Sequence, residues 1–343
     1  MRGTLLITGV AGFIGSNLAQ AALQCGFEVR GLDDFSTGWE ENLAPFRDQV
    51  QVHRGSVTDP IVLHRACAGV DCILHHAAIV SVPKSLEEPT KNDAVNVSGT
   101  LNVLMAARDA GVRRVILASS SSVYGEPVQF PICETAAVDP LSPYAVSKAA
   151  GELYVRMFGH SFGVETVCLR YFNVFGPKQD PASDYSGVLA RFTMQMLQGQ
   201  QPTIFGDGEQ TRDFTFVEDI ARANLLACSA PAEKVNQRTF NVATGRPTSL
   251  NQVYTALQRI TGYARPAAYA EPRHGDIRHS VADVTAIREA LDFRATVGLE
   301  EGLRRTVEWY SGQFLLQQEW QRGVHPVLNL PVPVAEPRAR LTA

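Results

Sequence analysis

Short apolar runs alternate with amphipathic stretches through the first half of the chain. TLLITG (4–9) leads into a helical pattern from Phe13 to Cys25, and FEVRGLD (27–33), VQVHRG (50–55) and DCILHHAA (71–78) read as the next strands. A helical stretch from Thr90 to Ala110 precedes RRVILASS (113–120), and a second, from Pro143 to Phe162, precedes ETVCLRYFNVFG (165–176). Near-continuous apolar strands separated by helices predict an α/β fold, a doubly wound parallel sheet with both faces covered.

After Gly176 the texture changes. PKQDPASDYSG is a loop rich in Pro, Ser and Asp, and PTIFGDGEQTRDF is turn-rich and extended. FVEDIARANLLACSA and TSLNQVYTALQRITG are amphipathic helices, and LEEGLRRTVEWYSGQFLLQQEW (299–320) is a late one. NQRTFNVATG (236–245) has the texture of a strand returning to the main sheet. The expected division is 1–175 for the sheet, regaining a strand and helix from about 214–245, then 176–325 for a smaller α/β lobe, and 326–343 for a proline-rich tail.

Composition narrows the classes. With 343 residues, 45% of them hydrophobic, and a formal net charge of −4, the chain can bury a large core but offers no basic face for nucleic acid. No apolar run reaches the length of a membrane span, and the N-terminal run is too short for a signal peptide. Cys25, Cys67, Cys72, Cys133, Cys168 and Cys228 are scattered mostly in apolar segments without a CxxC pair, which predicts buried reduced thiols in a cytoplasmic protein and no metal site.

The first chemical signal is a glycine turn. Strand TLLITG is followed by VAGFIGSNL, which places Gly9, Gly12 and Gly15 at G-x-x-G-x-x-G spacing between a strand and a helix. Glycines there allow a tight turn and let a pyrophosphate approach the free N–H groups and positive dipole end of the helix. The second strand ends in Leu32-Asp33-Asp34, and an acid at that point accepts the ribose hydroxyls of NAD and repels the 2′-phosphate of NADP. Arg30 and Arg54 leave NADP open as the lesser alternative.

The second signal is SPYAVSK, in which Tyr144 and Lys148 stand at i and i+4 on one helical face. A free phenol titrates near pH 10 and is a poor base at neutral pH. An ammonium one turn away, with a positive nicotinamide ring, would stabilise the phenolate and lower that value, making a general base for a hydroxyl proton. Ahead of it LASSSSVYG ends an apolar strand in four hydroxyls.

The glycine turn, His76-Ala77-Ala78, SSSSVYG, SPYAVSK, LRYFNVFGP and GDGEQTRDF together resemble the extended short-chain dehydrogenase/reductase family, and within it the nucleotide-sugar 4-epimerases, over nearly the whole chain to about residue 310. The resemblance implies a Rossmann-type sheet that binds NAD and a C-terminal lobe for a nucleotide sugar. It implies a catalytic set of Ser120, Tyr144 and Lys148, and a cofactor site of Gly9, Gly12, Phe13, Ile14, Gly15, Asp33, Asp34, Ala77 and Ala78 with Tyr144 and Lys148. For the UDP-sugar it implies Ser81, Val82, Ser121, Ser122, Asn173 and Val188, the phosphate-clamping Arg212 and Arg273, and Asp276 and Ser280. A homodimer through the helices near 90–110 and 143–162 is also implied. In one departure, the acid that often follows the third strand falls at Ser56, with Asp59 three residues on.

All members of this group begin by oxidising a sugar hydroxyl. A 4,6-dehydratase adds an acid/base pair just after the catalytic Ser/Thr, and decarboxylating relatives carry a glutamate two residues before the Tyr-Gly; here those positions are Ser121 and Ser122, which do not titrate at working pH. What remains is oxidation, rotation of the keto-sugar and return of hydride to the other face. Against the uronate relatives, which the chain resembles in SSSSVYG, stand Asn173 and FGPKQD, and the resemblance implies that Ser280 lines the pocket around the C2 substituent, where a small residue leaves space for an N-acetyl group. The expected substrate is UDP-GlcNAc/UDP-GalNAc, with UDP-Glc/UDP-Gal alongside. A UDP-glucuronate or strict UDP-glucose 4-epimerase, a simple dehydrogenase and a non-catalytic dinucleotide sensor stay open. In the serine run, Ser119 is expected to serve packing or a backbone hydrogen bond.

Overall fold

Each apolar run of the first half becomes a strand or helix close to its expected limits. In chain order these are β1 (Thr4–Thr8), α1 (Phe13–Gln24), β2 (Glu28–Asp33), β3 (Val50–Arg54), α2 (Pro60–Cys67), β4 (Cys72–His75), α3 (Val82–Glu87), α4 (Pro89–Asp93), α5 (Gly99–Asp109), β5 (Arg114–Ser120), α6 (Pro143–Ser161) and β6 (Glu165–Tyr171). The second half adds β7 (Val174–Phe175), α7 (Val188–Leu197), β8 (Thr203–Phe205), β9 (Thr211–Arg212), β10 (Thr215–Phe216), α8 (Val217–Ser229), α9 (Ala232–Val235), β11 (Arg238–Val242), β12 (Thr248–Ser249), α10 (Leu250–Thr261), β13 (Ala268–Ala270), α11 (Thr285–Leu291) and α12 (Leu299–Gln321). The structure, a computed structural model, describes residues 3–181, 187–272 and 277–321.

Seven strands form one sheet in the order β11-β6-β5-β4-β1-β2-β3, every pair parallel. Alternate residues face opposite sides, as the pleat requires. Leu5, Ile7, Leu74, Ile116 and Leu169 pack with Leu18 and Ala22 of α1 and Ile220 and Ala223 of α8. Leu6, Ile73, Val115 and Leu117 pack on the other face with Leu63 of α2, Val103 and Leu104 of α5 and Val155 and Phe158 of α6. Each such side chain, buried from water, contributes about 1.5–3 kcal/mol, and helices held on both faces leave only the sheet's carboxyl edge for a site. The winding reverses between β1 and β4, which is where such a sheet opens a crevice. NQRTFNVATG returns as β11, parallel to β6 with Phe240 opposite Leu169. A further apolar cluster joins α7, α10 and α12 through Phe192, Met196, Leu257 and Leu303.

Several sequence expectations change. The helix from Thr90 to Ala110 is α4 and α5 joined by a π turn over Ala94–Ser98, where Asn96 turns its side chain onto the backbone N–H and C=O of Ile79 at 2.8 and 2.9 Å. The run 165–176 is two strands, because the chain turns at Phe172 and Asn173; β7 pairs with β10 instead of continuing beside β5. Helices α2, α7 and α11 were not anticipated. Asp59, three residues beyond Ser56, caps α2 by accepting from the N–H groups of Ile61 and Val62, with Pro60 at its first position. Cys67, Cys72, Cys168 and Cys228 are buried free thiols as expected, but Cys25 is exposed and Cys133 only half-buried. Among the described residues no helix is long and apolar enough to cross a membrane. Arg273, Asp276 and the tail 326–343 lie outside the described residues.

Candidate active site

The glycine turn closes against the end of β4. Gly9 has φ +72°, and a Cβ there would stand 2.9 Å from the Ala77 nitrogen. At Gly15 a Cβ would lie 2.0 Å from the Gly9 carbonyl oxygen, so only glycine lets α1 approach the turn. Gly12 is the N-cap and brings no side-chain cap, while Phe13 and Ile14 open the helix half-buried. The first N–H groups of α1 are therefore left for a ligand, and an anion suits them. Asp33 is 7% exposed; its carboxylate accepts from the N–H of Ala11 and of Phe35, both at 2.8 Å, which ties the glycine turn to the end of β2. Burial raises its pKa, opposed by those two hydrogen bonds. Each oxygen keeps a lone pair for a sugar hydroxyl. Asp34 is exposed and turns back to the Ser36 N–H. Arg54 lies 4.5 Å from the Phe35 ring and pairs with Glu40 at 2.9 Å, and Arg30 donates to the Ala68 carbonyl. Both cations already have partners, and the acids Asp33 and Asp34 at the end of β2 suit ribose hydroxyls and repel a 2′-phosphate, so the residues present fit NAD.

Thr8 organises the neighbouring strand ends. Its Oγ1 accepts from the N–H groups of His76 (3.2 Å) and Ala77 (3.1 Å), so its hydrogen goes to His75 Nδ1 at 2.7 Å. The Nε2–H of His75 then donates to Thr100 Oγ1 at 3.0 Å, whose own hydrogen goes to the Asn96 carbonyl at 2.6 Å. This network fixes one neutral tautomer. Burial and then the Lys148 charge push the His75 pKa down to about 3, and burial holds His76 down at about 4. His76 Nε2 meets the Tyr171 hydroxyl at 2.9 Å, and Ala77 and Ala78 continue, half-buried, along the crevice.

The carboxyl end of β5 and the first turns of α6 bring the reaction residues together. Ser142 caps α6 by accepting from the Ala145 N–H, Pro143 stands at its first position, and the Tyr144 N–H donates to Ser85 Oγ at 3.1 Å. Lys148, 7% exposed, donates from Nζ to the Ala118 carbonyl at 2.8 Å and sits 5.9 Å from the centroid of the Tyr144 ring. Ser120 hydrogen-bonds the Tyr144 side chain, and its Oγ accepts from the N–H and hydroxyl of Ser122 at 3.2 and 3.0 Å. Ser121 and Ser122 occupy a half-buried 3₁₀ turn.

Burial acts on both members of the reacting pair, and one expectation, that for Ser119, is corrected. Burial raises the Tyr144 pKa, and the hydrogen bond from Ser120 opposes it. The amine itself is pulled down to about 8 by burial, against the pull of Glu152. Ser119 meets a side chain: its hydroxyl donates to Glu152 at 2.5 Å. Glu152 was missed, although its place one turn beyond Lys148 on the same helical face was a readable signal.

The other expected substrate residues are more dispersed. Ser81 is buried and caps α3 by accepting from the Lys84 N–H, and Val82 follows it 38% exposed. Asn173 is exposed at the turn between β6 and β7, and Val188 opens α7. Arg212 is half-buried on β9 and donates to the Thr211 carbonyl at 2.8 Å; Ser280, 9% exposed, donates its N–H to the same carbonyl at 3.1 Å. Ser280 thus lies beside β9. A cavity of about 460 Å³ opens nearby, lined by Phe205, Gly206, Gln210, Pro272 and Arg278 among others. None of Ser120, Tyr144 or Lys148 lines it, and it is not where the Tyr–Lys geometry lies.

Residues 5–243 match the model of the NAD dependent epimerase/dehydratase family. The chain is 40% identical over 309 residues to the UDP-glucose 4-epimerase of Mycolicibacterium smegmatis, covering 89% of this chain and 97% of that one. Among solved structures it resembles the UDP-glucose 4-epimerase of Thermotoga maritima with UDP-glucose, at TM-score 0.86 and 38% identity, covering 91% of this chain and 99% of the other. It is as similar to the UDP-N-acetylglucosamine 4-epimerase of Methanobrevibacter ruminantium in complex with UDP-N-acetylmuramic acid, at TM-score 0.86, 36% identity and the same coverage.

Proposed function

From the premise that this chain belongs to the NAD-dependent epimerase/dehydratase family, we propose that it is an isomerase inverting C4 of a UDP-hexose. The observation that carries this reading is the grouping of Ser120, Tyr144 and Lys148 at one strand end, with only hydroxyls at Ser121 and Ser122 beside them. Ser120 orients the O4 hydroxyl toward Tyr144, which takes its proton as C4 becomes a ketone. Lys148 stands below the ring and supplies the positive charge that the phenolate needs. NAD, when bound, supplies the acceptor and then the donor of the C4 hydride. Gly9, Gly12, Gly15 and the start of α1 would hold its pyrophosphate and Asp33 its ribose. No carboxylate follows Ser120 to withdraw a proton from C5 or protonate a leaving hydroxyl, so the ketone goes on to neither elimination nor decarboxylation. Its remaining course is to turn over and take the hydrogen back on the other face.

The sugar must swing while the nucleotide stays, so affinity belongs to the diphosphate and base. Arg212 and Arg273 suit the diphosphate as guanidinium forks, and the cavity walled by Phe205 and Pro272 suits an aromatic base. Ser280, small and set beside β9, favours acceptance of the N-acetylated pair UDP-GlcNAc/UDP-GalNAc along with UDP-Glc/UDP-Gal. Exposed Met105 on α5 and Val146, Leu153 and Met157 along one stripe of α6 support a homodimer through these helices.

The test is incubation of the purified protein with UDP-GlcNAc, UDP-Glc and UDP-glucuronate separately, with products resolved by proton NMR. The 4-epimers of the first two should form without net NADH. A 4-keto-6-deoxy product, or NADH released in step with turnover, would overturn the reading. In the same assay Ser280→Tyr should cost the N-acetylated substrate at least about tenfold more than UDP-Glc, the scale of filling a fitted pocket; equal losses would remove Ser280 from selectivity.

A further inference from the structure

Three consecutive residues at the end of β5 each hold one position of the same face of α6. Ser120 takes Tyr144, the carbonyl of Ala118 takes Lys148, and the hydroxyl of Ser119 takes Glu152, at helix positions four residues apart. Ser119 and Arg170 are direct partners across the β5–β6 pair, so both side chains leave the sheet on the α6 side. Both end on Glu152: Arg170 Nε donates to Oε1 at 2.8 Å and Nη2 to Oε2 at 2.6 Å. Arg170 is 4% exposed, and its far side donates to the Glu134 carbonyl at 3.2 Å and lies 4.7 Å from the centroid of the Tyr124 ring. Tyr124 ends the 3₁₀ turn that carries Ser121 and Ser122, and it donates to Asn241 on β11 at 2.6 Å. One largely enclosed carboxylate, its side chain 11% exposed, thus joins the helix bearing Tyr144 and Lys148, the strand end bearing Ser120 and the turn that follows it.

We propose that Glu152, held by Ser119 and Arg170, is a positioning residue that sets α6 against the end of β5 so that Lys148, Tyr144 and Ser120 keep their mutual geometry. This rests on the assignment of Tyr144 and Lys148 as the reacting pair. A bidentate guanidinium–carboxylate contact has a fixed shape, so it sets both the rotation of the helix and its height over the sheet. A displacement of about 1 Å at a reaction centre costs about a hundredfold in rate, and such a displacement acts on kcat while a UDP-anchored substrate binds as before.

The test uses the full chain with NAD and the variants Ser119→Ala, Glu152→Gln and the two combined, with kcat and KM for the best UDP-sugar, UDP affinity by calorimetry and thermal melting. Ser119→Ala should lower kcat about tenfold and Glu152→Gln about a hundredfold, with KM and UDP affinity within about twofold. The double variant should match Glu152→Gln, since Ser119 acts through the carboxylate alone. Losses that multiply, or a kcat that falls only with the folded fraction, would overturn the proposal. Should Glu152→Gln fail to fold with Arg170 left unpaired, Ser119→Ala decides by the same split. Wild-type protein that converts no UDP-sugar, or an unimpaired Tyr144→Phe variant, would remove the reacting pair instead. The clasp is then read from the crystal structure of Ser119→Ala: a Lys148 that keeps its 2.8 Å bond to Ala118 contradicts it.

Discussion

Replacing Gly15 by alanine puts one methyl group where the fold has no space. Its carbon would lie 2.0 Å from the Gly9 oxygen, 2.8 Å from the Gly9 carbonyl carbon and 3.0 Å from the Val10 Cα. All three are backbone atoms that cannot rotate away. Restoring even a 3.0 Å separation requires α1 and the glycine turn to part by about 1 Å, because that is the shortest distance real Cβ atoms reach. The helix cannot yield freely, since Leu18, Ala19 and Ala22 are fully buried against the sheet and α8. Forced overpacking of this kind costs about 3 kcal/mol, and at about 1.4 °C per kcal/mol for a chain of 343 residues Tm should fall by roughly 4 °C. The same displacement moves the N–H groups offered to the pyrophosphate, and a loss of about 1.4 kcal/mol there weakens NAD binding tenfold. Differential scanning calorimetry and titration with NAD read both effects. Gly312→Ala is the control: it lies within α12 with no atom within 4 Å of the added carbon, and removing a helical glycine should stabilise by about 0.5–1 kcal/mol. A Gly15→Ala protein that melts with the wild type and binds NAD equally would refute the close approach as the reason for glycine.

The buried histidine gives a pH dependence with a definite sign. His75 stays neutral in the fold down to about pH 3 against an ordinary value of 6.5. Its contribution is therefore complete above pH 6.5 and is lost as pH falls from 6.5 toward 3, at about 1.4 kcal/mol per unit. In urea unfolding between pH 6 and 4, His75→Gln should show a slope shallower by about that amount; identical slopes would contradict the neutral tautomer. Tyr144→Phe should reduce turnover by at least about a thousandfold through loss of the proton acceptor while UDP affinity by calorimetry stays within about twofold. A variant keeping near wild-type rate would take Tyr144 out of the chemistry.

The chain announced its sheet and its glycine turn because both are written in local pattern. The pleat demands alternation and the turn demands missing side chains, so Leu5, Ile7, Gly9, Gly12 and Gly15 are readable without any neighbour. Tyr144 and Lys148 are likewise one turn apart on one helix. The contacts that complete the site were hidden because their partners come from other strands. Arg170 reaches Glu152 across 18 residues and Asn241 meets Tyr124 across 117; neither spacing has a period. The π turn at Asn96 depends on Ile79 on another segment. One local signal went unused: Asp59 followed by Pro60 is a cap and a first helical residue. Helical spacing shows that an ammonium is near Tyr144, while the depth of burial, which raises the phenol pKa, is a property of the folded pocket.

In the proposed reaction C4 is oxidised and then reduced on its other face without leaving the site. A UDP-hexose carrying deuterium at C4, converted by the enzyme in ordinary water, tests it most directly. The hydrogen leaves C4 as hydride, is held away from solvent and returns to the same carbon, so the 4-epimer should retain its deuterium at C4 and no NADH should accumulate. A 4-epimer that has exchanged its C4 deuterium for solvent hydrogen would mean proton abstraction at carbon, and would contradict the account.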